Sequence, residues 1–432
     1  MTEFHSYLVF AVLCLLVVVL YIWLHKRGDQ KNREAVARAS ASGLTEPASL
    51  HPVIDPSKCL GSGSCVTACP EGDVLGLVRR KAALINPTHC IGHGACAKAC
   101  PHDAITLVFG TEKRGVDIPN VSPDFETNVP GIFIAGELGG MGLIRNAIEQ
   151  GRQAMDVIAK RKDKGFDYDV AVIGAGPAGF AASLGAKHKG LRYITLEQDS
   201  LGGTVAHFPR GKLVMTQPAQ LPIIGKVRFR ETTKEALLAF WQGAQKKAGI
   251  KINFGERMET IEGDGKGFLV ATNKGQYRVR NILLAIGRRG TPRKLGVPGE
   301  ELNKVVYRLI DAEQYRNQHV LVVGGGDAAL EAAFSIAEEP GTTVTLSYRS
   351  PSFSRAKEKN RTRVEAMVKA GKLNVLLTSN VKTIHTDRVD IDQEGKLHSL
   401  QNDAVIVCAG GVLPTPFLKQ IGIEVETKFG AA

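Results

Sequence analysis

The sequence predicts an α/β protein with two Rossmann-like dinucleotide-binding domains, a small cysteine-bearing α+β domain and one N-terminal transmembrane helix. Three observations carry this. Two glycine-rich turns, each entered from an apolar strand and left through an Ala-rich helix, begin at Gly174 and Gly324. A repeat with a period of 31 residues, Cys59 to Cys90, holds six of the eight cysteines. Residues 7–24, YLVFAVLCLLVVVLYIWL, contain no charge.

A chain of 432 residues has room for about two to three domains with sizeable cores. With 44% hydrophobic and 23% charged residues, most of it should fold as globular protein. The formal charge of +12 favours acidic partners or anionic lipid. No nucleic-acid-binding motif is present, so nucleic acid is not an expected partner.

The uncharged stretch 7–24 is close to the roughly 20 residues that a helix needs to span a bilayer. Glu3 precedes it, whereas Lys26, Arg27, Lys31, Arg33 and Arg38 follow, so the positive-inside tendency leaves the bulk of the chain in the cytoplasm. A cleaved signal peptide carries its positive charge ahead of the apolar core, and this stretch does not. The expectation is an uncleaved single-pass anchor in a bacterial inner membrane, residues 1–25, with Tyr7, Tyr21 and Trp23 at the interfaces. Residues 26–54, rich in Ala, Ser and charge and containing Pro47 and Pro52, read as a linker.

The repeat aligns Pro56 with Pro87, Cys59 with Cys90, Cys65 with Cys96, Cys69 with Cys100 and Pro70 with Pro101, which implies a pseudo-twofold domain over 55–109. Zinc, with its C-x2-4-C pairs, fits the C-x5-C-x3-C-P spacing poorly. A metal-free relic would have no use for six cysteines in register. A reducing compartment follows and disulfides do not; Cys14 and Cys408 read as inert thiols.

The stretches CLGSGSCVTACP and CIGHGACAKACP resemble the two-cluster bacterial ferredoxins, whose C-x2-C-x2-C-x3-C-P motif lends its fourth cysteine to the other cluster. Only the second position departs, with Ser62 in one half and His93 in the other. The resemblance implies a ferredoxin-like domain with two iron-sulfur clusters, one on Cys59, Cys65 and Cys100, the other on Cys90, Cys96 and Cys69. A 3Fe-4S cluster, a 4Fe-4S cluster with Ser62 oxygen or His93 nitrogen on the fourth iron, and an iron open to water all remain open. His93 is the stronger candidate ligand, and a neutral imidazole in place of thiolate would separate the two potentials.

In YDVAVIGAGPAGFAASLGA an apolar strand enters a helix through Gly174, Gly176 and Gly179. Such a turn brings bare backbone up to a pyrophosphate at a helix N-terminus. Glu197, 18 residues past Gly179, stands where an acid holds a ribose hydroxyl. HVLVVGGGDAALEAAFSIA repeats the pattern with Gly324, Gly326 and Ala329, but Arg349 stands 20 residues past Ala329, followed by Arg355 and Lys357. Positive charge there suits a 2′-phosphate, so NADPH is expected, with NADH as the alternative.

The two motifs and the connecting NILLAIGRRGTPRKLGVPGE resemble flavoproteins of the thioredoxin reductase type, which implies FAD in the first site and the nicotinamide in the second. LEQDSLGGTVAHFPRGKLVMTQP and the later PGE are most similar to bacillithiol disulfide reductase relatives. That family finishes its FAD domain after the nicotinamide domain, with a segment like TNVPGIFAAGD. Here that segment stands upstream, in SPDFETNVPGIFIAGELGGMGLIRNAIEQGRQAMDVIAK. Gly136 and Glu137 match the family's Gly-Asp pair, whose acid bonds the ribityl chain, and 143–151 match the helix start under the isoalloxazine. The resemblance implies a circular permutation, which neighbouring chain termini make tolerable. Residues 110–165 then belong to the FAD domain at 166–287, the NAD(P)H domain occupies 288–407, and 408–432 return to the FAD domain.

Ala178 replaces the cysteine of the relatives' G-x-G-P-C-G, and no cysteine lies between Cys100 and Cys408. The usual thiol route therefore lacks a partner. The expected function is a membrane-anchored NAD(P)H-dependent FAD and iron-sulfur oxidoreductase, with FAD converting hydride transfer into single electrons for the clusters. Its partner would be a small redox protein or a membrane electron carrier, as acceptor or donor, and a homodimer is left open. No side chain is assigned acid-base catalysis; His207 is at most a neighbour of the flavin. A redox-sensing or docking subunit, and a thiol-disulfide reductase using a partner's cysteines, are the alternatives.

Overall fold

The amino-terminal helix runs from Thr2 to Ala41, well past the apolar stretch and through much of the segment expected to be a linker. No proline interrupts it, and the residues after Gly28 are mostly Ala, Arg, Lys, Glu, Gln and Asn, which leaves nothing to stop it. This computed structural model describes residues 2–41, 45, 47, 50–90, 92, 94–112, 115–140, 142–161, 165–215, 218–229, 231–288, 290–354 and 356–430. They form two units, Met1–Gly115 with Phe429–Ala432, and Val116–Lys428.

In the first unit, the hydrophobic side chains from Val12 to Leu24 are exposed. Among the described residues no helix is long and apolar enough to cross a membrane, so the expected spanning segment lacks that support. The second half of the helix is docked rather than free. Ala35 and Ala39 are buried, Asp29 and Asn32 half-buried, and this i, i+3 stripe rests on the strand Leu75–Val78. Asn32 Nδ2 donates to the Leu77 carbonyl at 2.8 Å, and the Asp29 carboxylate accepts from the Arg79 N–H at 2.6 Å. The linker expectation is thus corrected for residues 26–41: they continue the helix and belong to the cysteine domain.

That domain carries its repeat into the backbone. Gly63 and Gly94, one period apart, adopt left-handed φ values of 73° and 70° and start the helices Ser64–Ala68 and Ala95–Lys98. His51–Ile54 pairs antiparallel with Ile105–Val108, and Leu75–Val78 pairs with Lys81–Leu84.

The second unit contains two larger sheets, the first mixed, with Phe268–Thr272 and Met258–Gly263 added antiparallel at one edge, and the second parallel. In the first, Tyr168–Ile173 is central, with Tyr193–Glu197 and then Asn253–Phe254 on one side and Gln276–Leu284 on the other. Ile132–Ile134 adds a further parallel strand, with Ile132 opposite Ile282 and Ile134 opposite Leu284. Its three residues are fully buried, as expected of a strand covered on both faces. Helix Ile144–Ile158 packs on helix Pro177–His188, and glycine permits the approach: a Cβ at Gly151 would lie 2.1 Å from the Ala178 carbonyl oxygen. Val116–Pro119 pairs antiparallel with Val425–Lys428. Residues from both ends of this unit therefore close around the sheet.

The second sheet has the order Val305–Val306, Ala404–Val407, His319–Val323, Thr343–Tyr348, Leu373–Leu377, all parallel. Helices Asp327–Ala337 and Glu358–Lys369 cover one face through Leu330, Phe334 and Val364. Residues Val381, Ile384, Val389 and Ile391 of an antiparallel three-stranded sheet pack with Leu321, Val405 and Val407 on the other.

Candidate cofactor sites

The first glycine-rich turn joins Tyr168–Ile173 to Pro177–His188. Gly174 has φ +100°, and a Cβ there would meet the Ala285 carbonyl oxygen at 2.6 Å; at Gly179 it would lie 1.8 Å from the Gly174 oxygen. Gly176 faces Gly203, backbone to backbone. Glu197 ends the neighbouring strand and is 7% exposed. Its carboxylate accepts from the Ala175 N–H at 2.7 Å and the Asp199 N–H at 2.8 Å. Burial pushes its pKa up, against the lowering by these N–H groups. The predicted acid is therefore at the turn and braces it.

Gly136 comes to the same turn from upstream. Its φ is +89°, and a Cβ there would stand 3.1 Å from that of Ala178. The Ala135 N–H bonds the Leu284 carbonyl at 3.2 Å, and the Gly136 N–H bonds Gln150 Oε1 at 2.8 Å. Glu137 opens the short 3-10 helix Glu137–Gly139. Sequence reasoning missed its companion, Arg288, although that arginine ends the quoted run NILLAIGR. Arg288 donates to the Asp117 carbonyl at 2.9 Å. Burial pushes its pKa down, while the charges of Glu137 and Asp117 oppose that shift. His207 lies close to Asp199, 3.3 Å from Nε2 to the carboxylate, and contacts Arg308 through Nδ1.

The second turn joins His319–Val323 to Asp327–Ala337. At Gly324, φ +146°, a Cβ would sit 2.4 Å from the Cys408 oxygen and 3.0 Å from the Ala329 Cβ. Ala329 is fully buried, so the third position of this motif accommodates a methyl group. Gly326 has nothing within 4 Å of such a Cβ. The Tyr348 ring lies against Gly325, 2.3 Å from where a Cβ would be, and stacks on Phe353 with centroids 5.6 Å apart. Arg349 follows directly and is exposed. Arg355 lies outside the described residues.

The six repeat cysteines sort into two triads. Cys69, Cys90 and Cys96 line one pocket; Cys59, Cys65 and Cys100 line another. Each triad takes two cysteines from one half and one from the other. No group of three His, Cys, Asp or Glu among the described residues converges as a single-ion site would. Burial pushes the pKa values of Cys65 and Cys90 up and that of Cys96 to about 11. The Ala82 and Ala104 N–H groups donate to Cys59 Sγ at 3.4 Å and Cys100 Sγ at 3.3 Å. Ser62 is exposed, and its Oγ lies 3.3 Å from that of Ser64. His93 lies outside the described residues.

Comparison with known proteins places these sites in context. The pyridine nucleotide-disulphide oxidoreductase family model matches residues 171–430, and a 4Fe-4S dicluster domain model matches 51–101. A ferredoxin–NADP reductase of Ignicoccus hospitalis is 29% identical over 268 residues, 60% of this chain and 83% of that one. Bacilliredoxin reductase Bdr of Bacillus subtilis is 26% identical over 266 residues, 60% and 82%. The structure of bacillithiol disulfide reductase Bdr from Staphylococcus aureus matches with a TM-score of 0.52 at 25% identity, covering 60% of this chain and 80% of that one.

Proposed function

We propose, on the premise that this chain belongs to the pyridine nucleotide-disulphide oxidoreductase family, that it passes electrons between NADPH and a small redox protein or membrane electron carrier by way of FAD and two iron-sulfur clusters. As a family member with a 4Fe-4S dicluster domain it is an NAD(P)H-dependent FAD and iron-sulfur oxidoreductase. The observation that carries the finer reading is the distribution of sulfur. Ala178 stands at the first turn, residues 101–407 contain no cysteine, and six thiols line two cavities elsewhere in the chain.

The residues at the first turn fit a dinucleotide. Gly174, Gly176 and Gly179 leave backbone bare at a helix N-terminus, and each Glu197 oxygen keeps a lone pair for a ribose hydroxyl. Glu137, with Arg288 as its counter-charge, would orient the ribityl chain. At the second turn Gly324 and Gly326 would receive the NADPH pyrophosphate and Arg349 the 2′-phosphate, with Arg355 as the further candidate. When bound, FAD supplies the exchange between a hydride carrier and one-electron clusters. Cys59, Cys65 and Cys100 would hold one cluster and Cys69, Cys90 and Cys96 the other, with His93 or Ser62 at the remaining corners.

We read 110–165 as the closing segment of the FAD domain, displaced upstream. The pairing of Ile132–Ile134 with Gln276–Leu284 and of Val116–Pro119 with Val425–Lys428 supports this circular permutation. The apolar half of the first helix enters a bilayer in this account, supported by the uncharged run 7–24 and the exposure of Val12 to Leu24.

Anaerobic turnover of the full chain with NADPH and a one-electron dye tests the route. Cys65→Ala should abolish dye reduction while NADPH still bleaches the flavin. Dye reduction that survives loss of the clusters would instead favour a thiol reductase supplied with cysteines by a partner.

A further inference from the structure

The geometry points to the tip of the Leu75–Lys81 hairpin as a binding surface for anionic phospholipid headgroups, held at that height by the amino-terminal helix acting as a rigid strut. This rests on the reading that the apolar half of that helix enters a bilayer.

The argument is one of length and register. The hydrophobic run ends at Leu24, and Asp29, five residues later, holds the Arg79 N–H at 2.6 Å. At 1.5 Å per residue this is about 8 Å along the axis. The polar layer on each side of a bilayer core is roughly 5–8 Å deep, so Arg79 stands at headgroup level. Asn32 grips Leu77 one turn further on, and a Cβ at Gly76 would come within 2.8 Å of Asn32 Cγ. The hairpin therefore lies along the helix with its tip toward the apolar end. Trp23, which stacks under Arg27 at 5.1 Å, marks the boundary as an interfacial aromatic.

The chemistry at that height is cationic. Lys26, Arg27 and Lys31 on the helix and Arg79 and Arg80 on the hairpin are all exposed, whereas the Lys81 ammonium turns back to donate to the Cys59 carbonyl. Asp29, the nearest acid, is engaged by Arg33 at 3.0 Å as well as by the Arg79 N–H. Arg79 and Arg80 occupy left-handed φ values of 50° and 63°, an arrangement that makes a tight two-residue turn. The surface also selects one cysteine triad. A Cβ at Gly61 would strike the Arg80 carbonyl oxygen at 2.1 Å, and one at Gly63 would contact Leu77 at 3.7 Å. The triad of Cys59, Cys65 and Cys100, which shares its cavity with both glycines, is thus the membrane-proximal one.

The test uses the full chain in lipid nanodiscs with a photo-activated benzophenone residue at Leu60, which is 68% exposed beside this tip, or at Lys98 on the opposite half-module. With labelled phosphatidylglycerol in the disc, the Leu60 position should give at least a roughly fivefold larger lipid adduct than the Lys98 position. Arg79→Gln with Arg80→Gln should lower that adduct about fivefold or more, given the contribution of each basic residue at an anionic surface. A Gly-Ser-Gly-Ser insertion after Gly28 should leave the chain in the disc but erase the difference between positions. No adduct at Leu60, or equal adducts at both positions, from a chain that co-purifies with discs overturns the inference. A chain absent from the disc fraction overturns the membrane reading, and the inference with it.

Discussion

Gly136 lies against Ala178, so close that a Cβ on the glycine would stand 3.1 Å from the alanine Cβ. The two residues stand 42 positions apart in the chain, yet they meet at one turn. At φ +89° a side chain on Gly136 would be strained. Gly151→Ala would force a Cβ to 2.1 Å from the Ala178 carbonyl oxygen, an overpacking that costs about 1–3 kcal/mol. The variant should purify with less flavin and a lower melting temperature; unchanged flavin content would show that the helix pair does not shape the site.

Arg288 offers a second check. Replacement by Met removes the donor to the Asp117 carbonyl and the charge that faces Glu137. Weaker flavin retention is expected, by about 1.5–3 kcal/mol, the range for a hydrogen bond to a charged group. Flavin released on dilution measures it, and Glu137→Gln in the same background should recover part of the loss.

Arg349 should set the choice of nicotinamide. Arg349→Gln is expected to lower the preference for NADPH over NADH about tenfold, as loss of one charge-assisted phosphate contact does. The ratio of flavin reduction rates with the two nucleotides reads this directly.

The upstream segment also carries a pH signature. The Arg161 guanidinium bonds Glu126 and holds its carboxyl below the usual glutamate range, with the Gly131 N–H adding to the effect. A depressed folded pKa contributes stability above the unfolded value, lost as pH falls through the folded one. Melting temperature should therefore decline below about pH 4, and Glu126→Gln should flatten that slope. The Arg161 side chain is 37% exposed, which limits the effect to about 1 kcal/mol or less.

Much of this was legible in the sequence because the responsible forces are local. A turn that brings bare backbone to a helix start needs Gly174 and Gly179 wherever it occurs, and the 31-residue period already paired Cys59 with Cys90, Cys65 with Cys96 and Cys69 with Cys100, while the grouping into triads was only what the ferredoxin resemblance implied. The role of residues 26–41 was not legible. Their composition is that of a solvated linker, and their order depends on Asn32 meeting Leu77, 45 positions away. Arg288 was missed for a similar reason: its partners, Asp117 and Glu137, come from a part of the chain more than 150 residues earlier.

The central claim is that electrons from NADPH reach iron held by the repeat cysteines. Freeze-quenched EPR of the full chain, mixed anaerobically with NADPH, tests it most directly. The account predicts flavin bleaching followed by the change in signal that accompanies cluster reduction, with Cys65→Ala and Cys96→Ala each removing a different component. Flavin that bleaches while every cluster keeps its oxidised signal, even with a one-electron acceptor turning over, would contradict it.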